Sequence, residues 1–203
     1  MALDLLSSEI LTFIGYLAPF LMTFVVILLS IFNGQPLKGI IYLAGVIILS
    51  VICVVISKII NDPIPKESLY VCRMFTAKGL LDFSTPSIST AIMTFTAVYI
   101  ILPLIQKNQF NSYLFAFLGI MIIANSASRV YAGCTTLLKG VMSGFLIGLL
   151  FAMGYIVALK TSSDNAEADL LLFSESLTNG QVCSRPSSEK FKCKVYKNGE
   201  LIG

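Results

Sequence analysis

Cations and hydroxyl side chains meet at the ends of several apolar segments of this chain. Lys58 ends one such segment, Arg129 ends another, and Lys139 begins a third. The run Pro86–Thr90 opens a further apolar segment, and Asn125–Ser128 lies within about one helical turn of Arg129. Ionisable residues at membrane depth are costly, so this combination predicts a site for an anion such as phosphate. Alternatively, the cations snorkel to the interface and the hydroxyls cap or bond their own helices.

The chain has no histidine and no tryptophan, which narrows the chemistry open to those positions. Without histidine there is no imidazole acid–base catalysis, no phosphohistidine and no histidine-ligated metal. The sequence therefore predicts no metal site and no cofactor.

The composition of the 203 residues indicates which elements must position such a site. Hydrophobic residues make up 56% of the chain and charged residues 12%, and the mean hydropathy is +0.86. Soluble proteins carry about a quarter charged residues, so a water-soluble globular protein is excluded. Residues 1–159 carry eight Lys or Arg and five Asp or Glu, whereas residues 160–203 carry six of each. We therefore predict a membrane domain, 1–159, and a polar tail, 160–203, without nucleic-acid binding.

Five apolar stretches are long enough to cross a bilayer as helices, which takes about 20 residues each because only a helix satisfies its own backbone in lipid. They are Glu9–Phe32, Gly39–Ile60, Ile88–Ile105, Ser112–Arg129 and Leu138–Leu159. The expected fold class is an all-α, multi-pass integral membrane protein with a five-span helical bundle. The first eight residues hold no basic side chain, which argues against a signal peptide.

The polar tail carries two alternating runs around Asn198-Gly199, a pattern typical of a β-hairpin with a type I′ turn. Two strands alone are marginally stable in water, so the tail is either mostly flexible or ordered by a protein partner that contacts residues 170–203. The cysteines are too scattered for a disulfide scaffold, and their odd number leaves at least one free or intermolecular. They are Cys53, Cys72, Cys134, Cys183 and Cys193, and a Cys183–Cys193 bridge stays open.

Three segments of the membrane domain, in order, resemble the motifs of the phosphatidic acid phosphatase type 2 superfamily, the membrane lipid phosphatases related to haloperoxidases. Lys58, with Cys72 fourteen residues later, is similar to the first motif, and Asp82–Thr90 is similar to the second. Ser128–Thr135, followed by Gly140–Gly148, is similar to the third. The resemblance runs from the second predicted span to the last, and it implies the bundle fold of that family.

The resemblance assigns a phosphate-binding role to several positions. Lys58, Ser87 and Arg129 fall on positions that hold the substrate phosphate in the family, and each is the family's residue type. The Arg-Pro of the first motif falls on Pro65-Lys66, so Lys66 is the residue that stands nearest to the lost arginine. The predicted phosphate- or lipid-headgroup-binding residues are therefore Lys58, Lys66, Ser87 and Arg129.

The family's catalytic residues are replaced in this chain. The histidine that acts as general acid falls on Ser89, the nucleophilic histidine on Thr135, and the aspartate that orients it on Lys139. A neutral hydroxyl without an adjacent base is a poor nucleophile near neutral pH. Catalytic residues act as a unit, so the loss of all three removes the expectation of the family's reaction. The sequence predicts a pseudoenzyme with no catalytic residues.

Two criteria for the orientation in the membrane disagree. Serial crossing places the loop 61–87 and the turn 129–136 on one face and the tail on the other. More basic residues flank the spans on the loop face, which by the positive-inside rule lies in the cytoplasm. The resemblance places the site outside the cytosol. Once Lys58, Lys66 and Arg129 are counted as site residues, the two faces carry equal numbers.

Two further features have alternative interpretations. Gly140, Gly144 and Gly148 form a stripe of small residues that permits close helix approach, either in a homo-oligomer or, as the resemblance favours, inside the bundle. Cys134, near Arg129, would be a thiolate nucleophile if its pKa were lowered. That chemistry needs a phosphate-binding loop with an arginine after the cysteine, which this segment lacks.

The predicted function is that of a catalytically inactive, lipid-phosphatase-like membrane protein with a structural or anionic-lipid-binding or phosphate-binding role. Its predicted partners are membrane lipids, and one setting is a membrane-bound assembly such as the envelope or inner membrane of a large virus. One alternative is an active lipid phosphatase or phosphotransferase that uses Thr135 or Cys134. Another is a transporter or channel, which the lack of an evident inverted repeat disfavours.

Overall fold

A computed structural model describes residues 2–62, 64, 72, 84–106, 111–163, 196–197 and 200–201. Its helices are α1 (Ala2–Phe32), α2 (Pro36–Ile60), α3 (Ile88–Gln106), α4 (Ser112–Tyr131) and α5 (Met142–Ser163). A π-helical turn, Leu137–Val141, leads directly into α5. Two short strands, β1 (Tyr196–Lys197) and β2 (Glu200–Leu201), pair antiparallel.

All five predicted spans are confirmed as helices that are long and apolar enough to cross a membrane. Two begin earlier than predicted: α1 begins at Ala2, and α2 begins at Pro36, whose fixed φ angle suits the first helical turn. Helix α5 continues to Ser163, beyond the predicted boundary between the membrane domain and the tail. Large apolar side chains such as Ile59 and Leu138 are exposed on the bundle, a surface typical of helices that face lipid.

The turn between α1 and α2 is closed by Ser30 and two glycines. Ser30 Oγ donates to the carbonyl of Gln35 at 2.5 Å and accepts from the backbone N–H of Gly39 at 2.7 Å. Gly34 has a φ angle of +70°, which a residue without a Cβ adopts at no steric cost. A Cβ on Gly39 would lie 2.8 Å from Ser30 Cβ, so the glycine lets the two helices approach closely.

Helix α3 is the most buried of the five helices and contacts each of the other four. A cluster of aromatic rings with centroids 5.3–5.8 Å apart packs around it, formed by Tyr42, Phe95, Tyr99, Phe151 and Tyr155. The buried hydroxyl of Tyr42 lies 2.7 Å from Thr96 Oγ1, so this polar group is hydrogen-bonded inside the core. The middle of α3 is thereby packed at the centre of the bundle.

The glycine stripe of the last span packs against α3 of the same chain. A Cβ on Gly144 would lie 2.5 Å from the carbonyl oxygen of Ser87, and a Cβ on Gly148 would lie 2.5 Å from that of Ala91. Only glycine lets α5 rest directly on the backbone of α3 at these points. This contact uses the stripe within one molecule, and a homo-oligomer through the same residues stays a prediction.

In the tail, β1 pairs with β2 so that Tyr196 lies opposite Leu201 and Lys197 lies opposite Glu200. This register leaves a two-residue connection, as the Asn-Gly pattern predicts. Cys183, Cys193 and most of the segment 170–203 lie outside the described residues. The Cys183–Cys193 bridge and the protein contacts of the tail stay predictions.

Candidate functional site

A cavity of about 440 Å³ lies between α1, α2 and α3 and extends to the segment that joins α4 to α5. One part of it, the apolar groove, is lined by Pro19, Phe20, Phe24, Ile27 and Val46. The other part, the polar end, is lined by Tyr16, Ser87, Ser89, Arg129 and Thr135. The cavity is therefore amphipathic.

Ser87 precedes α3 in a segment that contains a cis Thr85–Pro86 peptide bond. Its backbone N–H donates to the carbonyl of Gly140 at 3.0 Å, which joins the start of α3 to the π-helical turn. Thr90 Oγ1 donates to Ser87 Oγ at 3.0 Å. The Ser87 hydroxyl is thus fixed in the cavity wall by one backbone contact and one side-chain contact.

Ser89 is held by α4. Asn125 Nδ2 donates to Ser89 Oγ at 3.3 Å, and Ser89 Oγ lies 3.4 Å from Ser87 Oγ. Asn125 is fully buried, and its Oδ1 has no hydrogen-bond partner among the described residues. The Asn125 amide therefore links α4 to the pair of serine hydroxyls at the start of α3.

Arg129, in the last turn of α4, is the one charged side chain among the described residues that line the cavity. Its Nε is buried and has no hydrogen-bond partner within the described part of the chain. Its guanidinium carbon lies 5.0 Å from the centroid of the Tyr16 ring, a cation–π contact. The helix dipole stabilises a cation at this end of α4, but it provides no hydrogen-bond acceptor for the Nε–H group. Arg129 thus retains a donor for a ligand.

The segment after α4 contributes Thr135 and a disulfide. Thr135 Oγ1 donates to the carbonyl of Ser84 at 2.9 Å, so its hydroxyl hydrogen is directed to a carbonyl and not to a base. Cys134 is bonded to Cys72, and both cysteines line the cavity. Cys134 therefore offers no thiolate nucleophile while the bond is intact. The spacing of the five cysteines did not predict this pair.

The structure brings four of the predicted positions to the cavity, namely Ser87, Ser89, Arg129 and Thr135. Lys58 is exposed in the last turn of α2, and Lys139 is exposed in the π-helical turn. Neither lysine lines the cavity. Lys66 lies outside the described residues. The binding roles of Lys58 and Lys66 stay predictions.

Sequence reasoning missed Tyr16 and the whole contribution of α1. Tyr16 is buried, places its ring against Arg129, and contacts Cys134 through its hydroxyl. Helix α1 comes close to α4 because Gly15 packs on Ser128: a Cβ on Gly15 would lie 2.6 Å from Ser128 Cβ. Apart from Glu9, the first predicted span has no charged residue and it carries no motif, so only this packing connects it with Arg129.

The polar end offers a guanidinium group and neutral hydroxyls, a set that suits an oxygen-rich anion. Among the described residues, no group of three or more His, Cys, Asp and Glu side chains is placed to bind a metal ion. Comparison of the chain with protein-family models, curated proteins and solved structures gives no match. Function must therefore be inferred from the cavity itself.

Proposed function

We propose that this chain is a catalytically inactive, multi-pass membrane protein that binds an anionic lipid, with the headgroup at Arg129 and an acyl chain in the apolar groove. The observation that carries this proposal is the unpaired, buried Nε of Arg129 at the polar end of a largely apolar cavity. No carboxylate lines the cavity among the described residues, and a partly desolvated guanidinium without a counter-charge is costly. An anionic ligand would remove that cost.

The length of the cavity favours a lipid over a free anion. Tyr16 and Ile27 both line it, and the eleven residue-to-residue steps from one to the other correspond to about 16 Å along α1 at 1.5 Å per residue. The hydrocarbon core of a bilayer is about 30 Å thick, so the groove has about the depth of one leaflet. Phe20 and Phe24 are 54% and 57% exposed, so the groove opens onto the bundle surface. An acyl chain would enter from the side.

The same arrangement favours binding without turnover. Thr135, at the position of the family's nucleophile, donates its hydroxyl hydrogen to a carbonyl. The described residues that line the cavity include no carboxylate, lysine or imidazole that would act as its base. A hydroxyl without a base is a weak nucleophile. We propose that the resemblance to membrane lipid phosphatases reflects a shared helical bundle whose catalytic groups have been replaced.

The binding proposal is tested by the lipids that purified variants retain. Arg129→Gln removes the charge at the cavity, and Lys139→Gln is the matched control because it removes an exposed charge near the same end of the bundle. In native mass spectrometry after mild detergent extraction, wild type and Lys139→Gln should keep an anionic phospholipid. Arg129→Gln should bind it about 10- to 100-fold more weakly, the usual effect of losing a charge-assisted contact. Equal retention by the three proteins would contradict the proposal.

Turnover is tested separately with phosphatidic acid in mixed micelles. We expect no phosphate release above the level of the Arg129→Gln variant. Vanadate-sensitive release that disappears in Arg129→Gln would overturn the pseudoenzyme assignment and support an active lipid phosphatase. A covalent phosphate on Thr135 would support a phosphotransferase.

A further inference from the structure

We infer that the bound lipid is a singly charged phosphodiester with a hydroxyl group in its headgroup, and that the serine pair and Thr135 recognise these features through opposite hydrogen-bonding roles. This inference rests on the proposed lipid-binding function and adds the chemical class of the lipid. It follows from the charge at the polar end of the cavity and from the directions of three hydrogen bonds.

The charge of the described residues that line the cavity favours a ligand with one negative charge. Arg129 supplies the one positive charge among the described residues that line the cavity, and the exposed Lys58 and Lys139 lie outside it. A net charge in a region of low dielectric constant is costly. A phosphodiester carries one negative charge and neutralises Arg129. A phosphomonoester carries about −1.5 to −2 at neutral pH and would leave an excess of negative charge.

The two serine hydroxyls of the polar end are arranged as donors. Ser87 Oγ accepts from Thr90 at 3.0 Å, and Ser89 Oγ accepts from Asn125 Nδ2 at 3.3 Å. Each serine therefore keeps its own hydroxyl hydrogen. The two oxygens lie 3.4 Å apart, so one serine can donate its hydrogen to the other. The hydrogen of the accepting serine then stays available for a ligand. At least one serine can donate to a phosphate oxygen beside Arg129.

Thr135 has the opposite role at the polar end. Its hydroxyl hydrogen is donated to the Ser84 carbonyl at 2.9 Å, so Thr135 presents only lone pairs to a ligand. Lone pairs repel a bare phosphate oxygen and accept from a group that carries a hydrogen. A choline headgroup has no such hydrogen, and a primary ammonium headgroup would add a second positive charge near Arg129. An uncharged headgroup alcohol with a free hydroxyl group donates to Thr135 and adds no positive charge near Arg129.

The test uses lipids with identical acyl chains that differ by one feature at a time. Phosphatidylglycerol has the phosphodiester and the hydroxyls, phosphatidylethanol has the same charge without a hydroxyl, and phosphatidic acid is a phosphomonoester. Phosphatidylcholine is the zwitterionic control, and inorganic phosphate is the free-anion competitor.

Delipidated full-length protein is titrated with each lipid at mildly alkaline pH, and the bound fraction is measured by native mass spectrometry. We expect phosphatidylglycerol to bind about fivefold more tightly than phosphatidylethanol, the effect of about one hydrogen bond. Its advantage over phosphatidic acid should be about tenfold or more.

Thr135→Val keeps the shape of the side chain and removes the acceptor, whereas Thr135→Ser keeps the acceptor. The valine variant should bind phosphatidylglycerol and phosphatidylethanol equally, and both should still depend on Arg129. The serine variant should keep the preference. Because Thr135→Val also loses the contact with Ser84, the readout is the ratio of the two affinities within each variant, which a general loss of stability does not change.

The outcomes separate this inference from the proposed function. Phosphatidic acid binding as tightly as phosphatidylglycerol, with both lost in Arg129→Gln, would overturn the inference and leave the proposed function intact. A preference for phosphatidylglycerol that persists in Thr135→Val would overturn the role of Thr135. Displacement of phosphatidylglycerol by an equal concentration of inorganic phosphate would show that the site prefers a free anion and would contradict the proposal that the ligand is a lipid. Lipid binding that is insensitive to Arg129→Gln would contradict both proposals.

Discussion

Each end of the helical bundle holds a cation with a buried nitrogen atom that lacks a hydrogen-bond partner among the described residues. At one end, Arg129 lines a cavity beside the hydroxyls of Ser87 and Thr135. At the other end, Lys38 in the first turn of α2 has a buried Nζ and does not line that cavity. Of the two cations, Arg129 is the candidate binding residue, because open volume and neutral hydroxyl groups adjoin it.

The same two ends are held together by different kinds of contact. Near Arg129, links join residues far apart in sequence, such as the Cys72–Cys134 disulfide and the hydrogen bond from Ser87 N–H to the Gly140 carbonyl. At the end that contains Lys38, local contacts such as those of Asn111 Oδ1 with the backbone N–H groups of Tyr113 and Leu114 occur beside two hydrogen bonds between distant helices. These two are donated by Tyr155 to the carbonyl of Ile41 and by Lys160 to Gln106, and the described residues at this end include no disulfide. Long-range links fix side chains from several helices relative to one another, whereas local ones mainly begin or end a helix.

The largest effect on stability is expected from the disulfide. The two cysteines are 62 residues apart, and closing a loop of that length stabilises the folded state by about 4 kcal/mol. The Cys72→Ala/Cys134→Ala variant should therefore melt well below wild type in detergent. Ser30→Ala, at the opposite end, removes local hydrogen bonds and should cost only about 1 kcal/mol. Equal melting temperatures for the two variants would contradict the difference between the ends.

Two glycines of α5 should respond to the same substitution with opposite signs. A Cβ on Gly144 would lie 2.5 Å from the Ser87 carbonyl oxygen, whereas nothing lies within 4 Å of a Cβ on Gly154. Gly144→Ala should destabilise the protein by about 2 kcal/mol and weaken lipid binding, because α5 must move away from the start of α3. Gly154→Ala should stabilise it by about 0.5–1 kcal/mol. Thermal melts of both variants, with lipid binding measured in parallel, check this pair, and a shift of the same sign in both would count against it.

Methionine has a similar length and no charge, and its substitution for Lys38 and for Arg129 should have different effects on stability and lipid binding. Lys38→Met removes a buried charge, so stability should be unchanged or higher by about 1 kcal/mol, and lipid binding should be unchanged. Arg129→Met should lose the lipid. Melting temperature and retained lipid are measured for both variants. Loss of lipid from Lys38→Met would show that the two ends are equivalent and would contradict the comparison.

The smallest effect is expected for Lys58. The resemblance assigns this residue to phosphate binding, while the structure leaves its side chain exposed at the end of α2 and away from the cavity. Lys58→Ala should change lipid affinity by less than about twofold, as is usual for an exposed charge. A loss as large as that of Arg129→Gln would restore Lys58 to the site.

The helices could be predicted from sequence because length and hydropathy determine them. The spacing of the small-residue stripe that contains Gly144 predicts close helix approach, and the resemblance favours packing inside the bundle. Ser87 and Arg129 could be found because they stand at the ends of apolar segments within recognisable motifs. The sequence could not predict the positions of Tyr16, the apolar groove or the Cys72–Cys134 bond. Each depends on tertiary packing, of a first span without motifs in two cases and of the distant residue Cys72 in the third. The sequence left open whether Lys58 lines the site or extends to the interface, since a sequence motif does not specify which way a side chain points.

The central claim, that an anionic lipid places its headgroup at Arg129 and its chain in the groove, is tested most directly by photo-crosslinking. Phosphatidylglycerol with a diazirine near the middle of one acyl chain is incorporated into nanodiscs with wild type or Arg129→Gln, and the crosslinked residues are mapped by mass spectrometry. We predict crosslinks concentrated at Phe24, Ile27 and Val46 in wild type and lost in Arg129→Gln. Crosslinks spread equally over the exposed apolar faces, such as Ile120 and Ile123 of α4, in both proteins would contradict the claim.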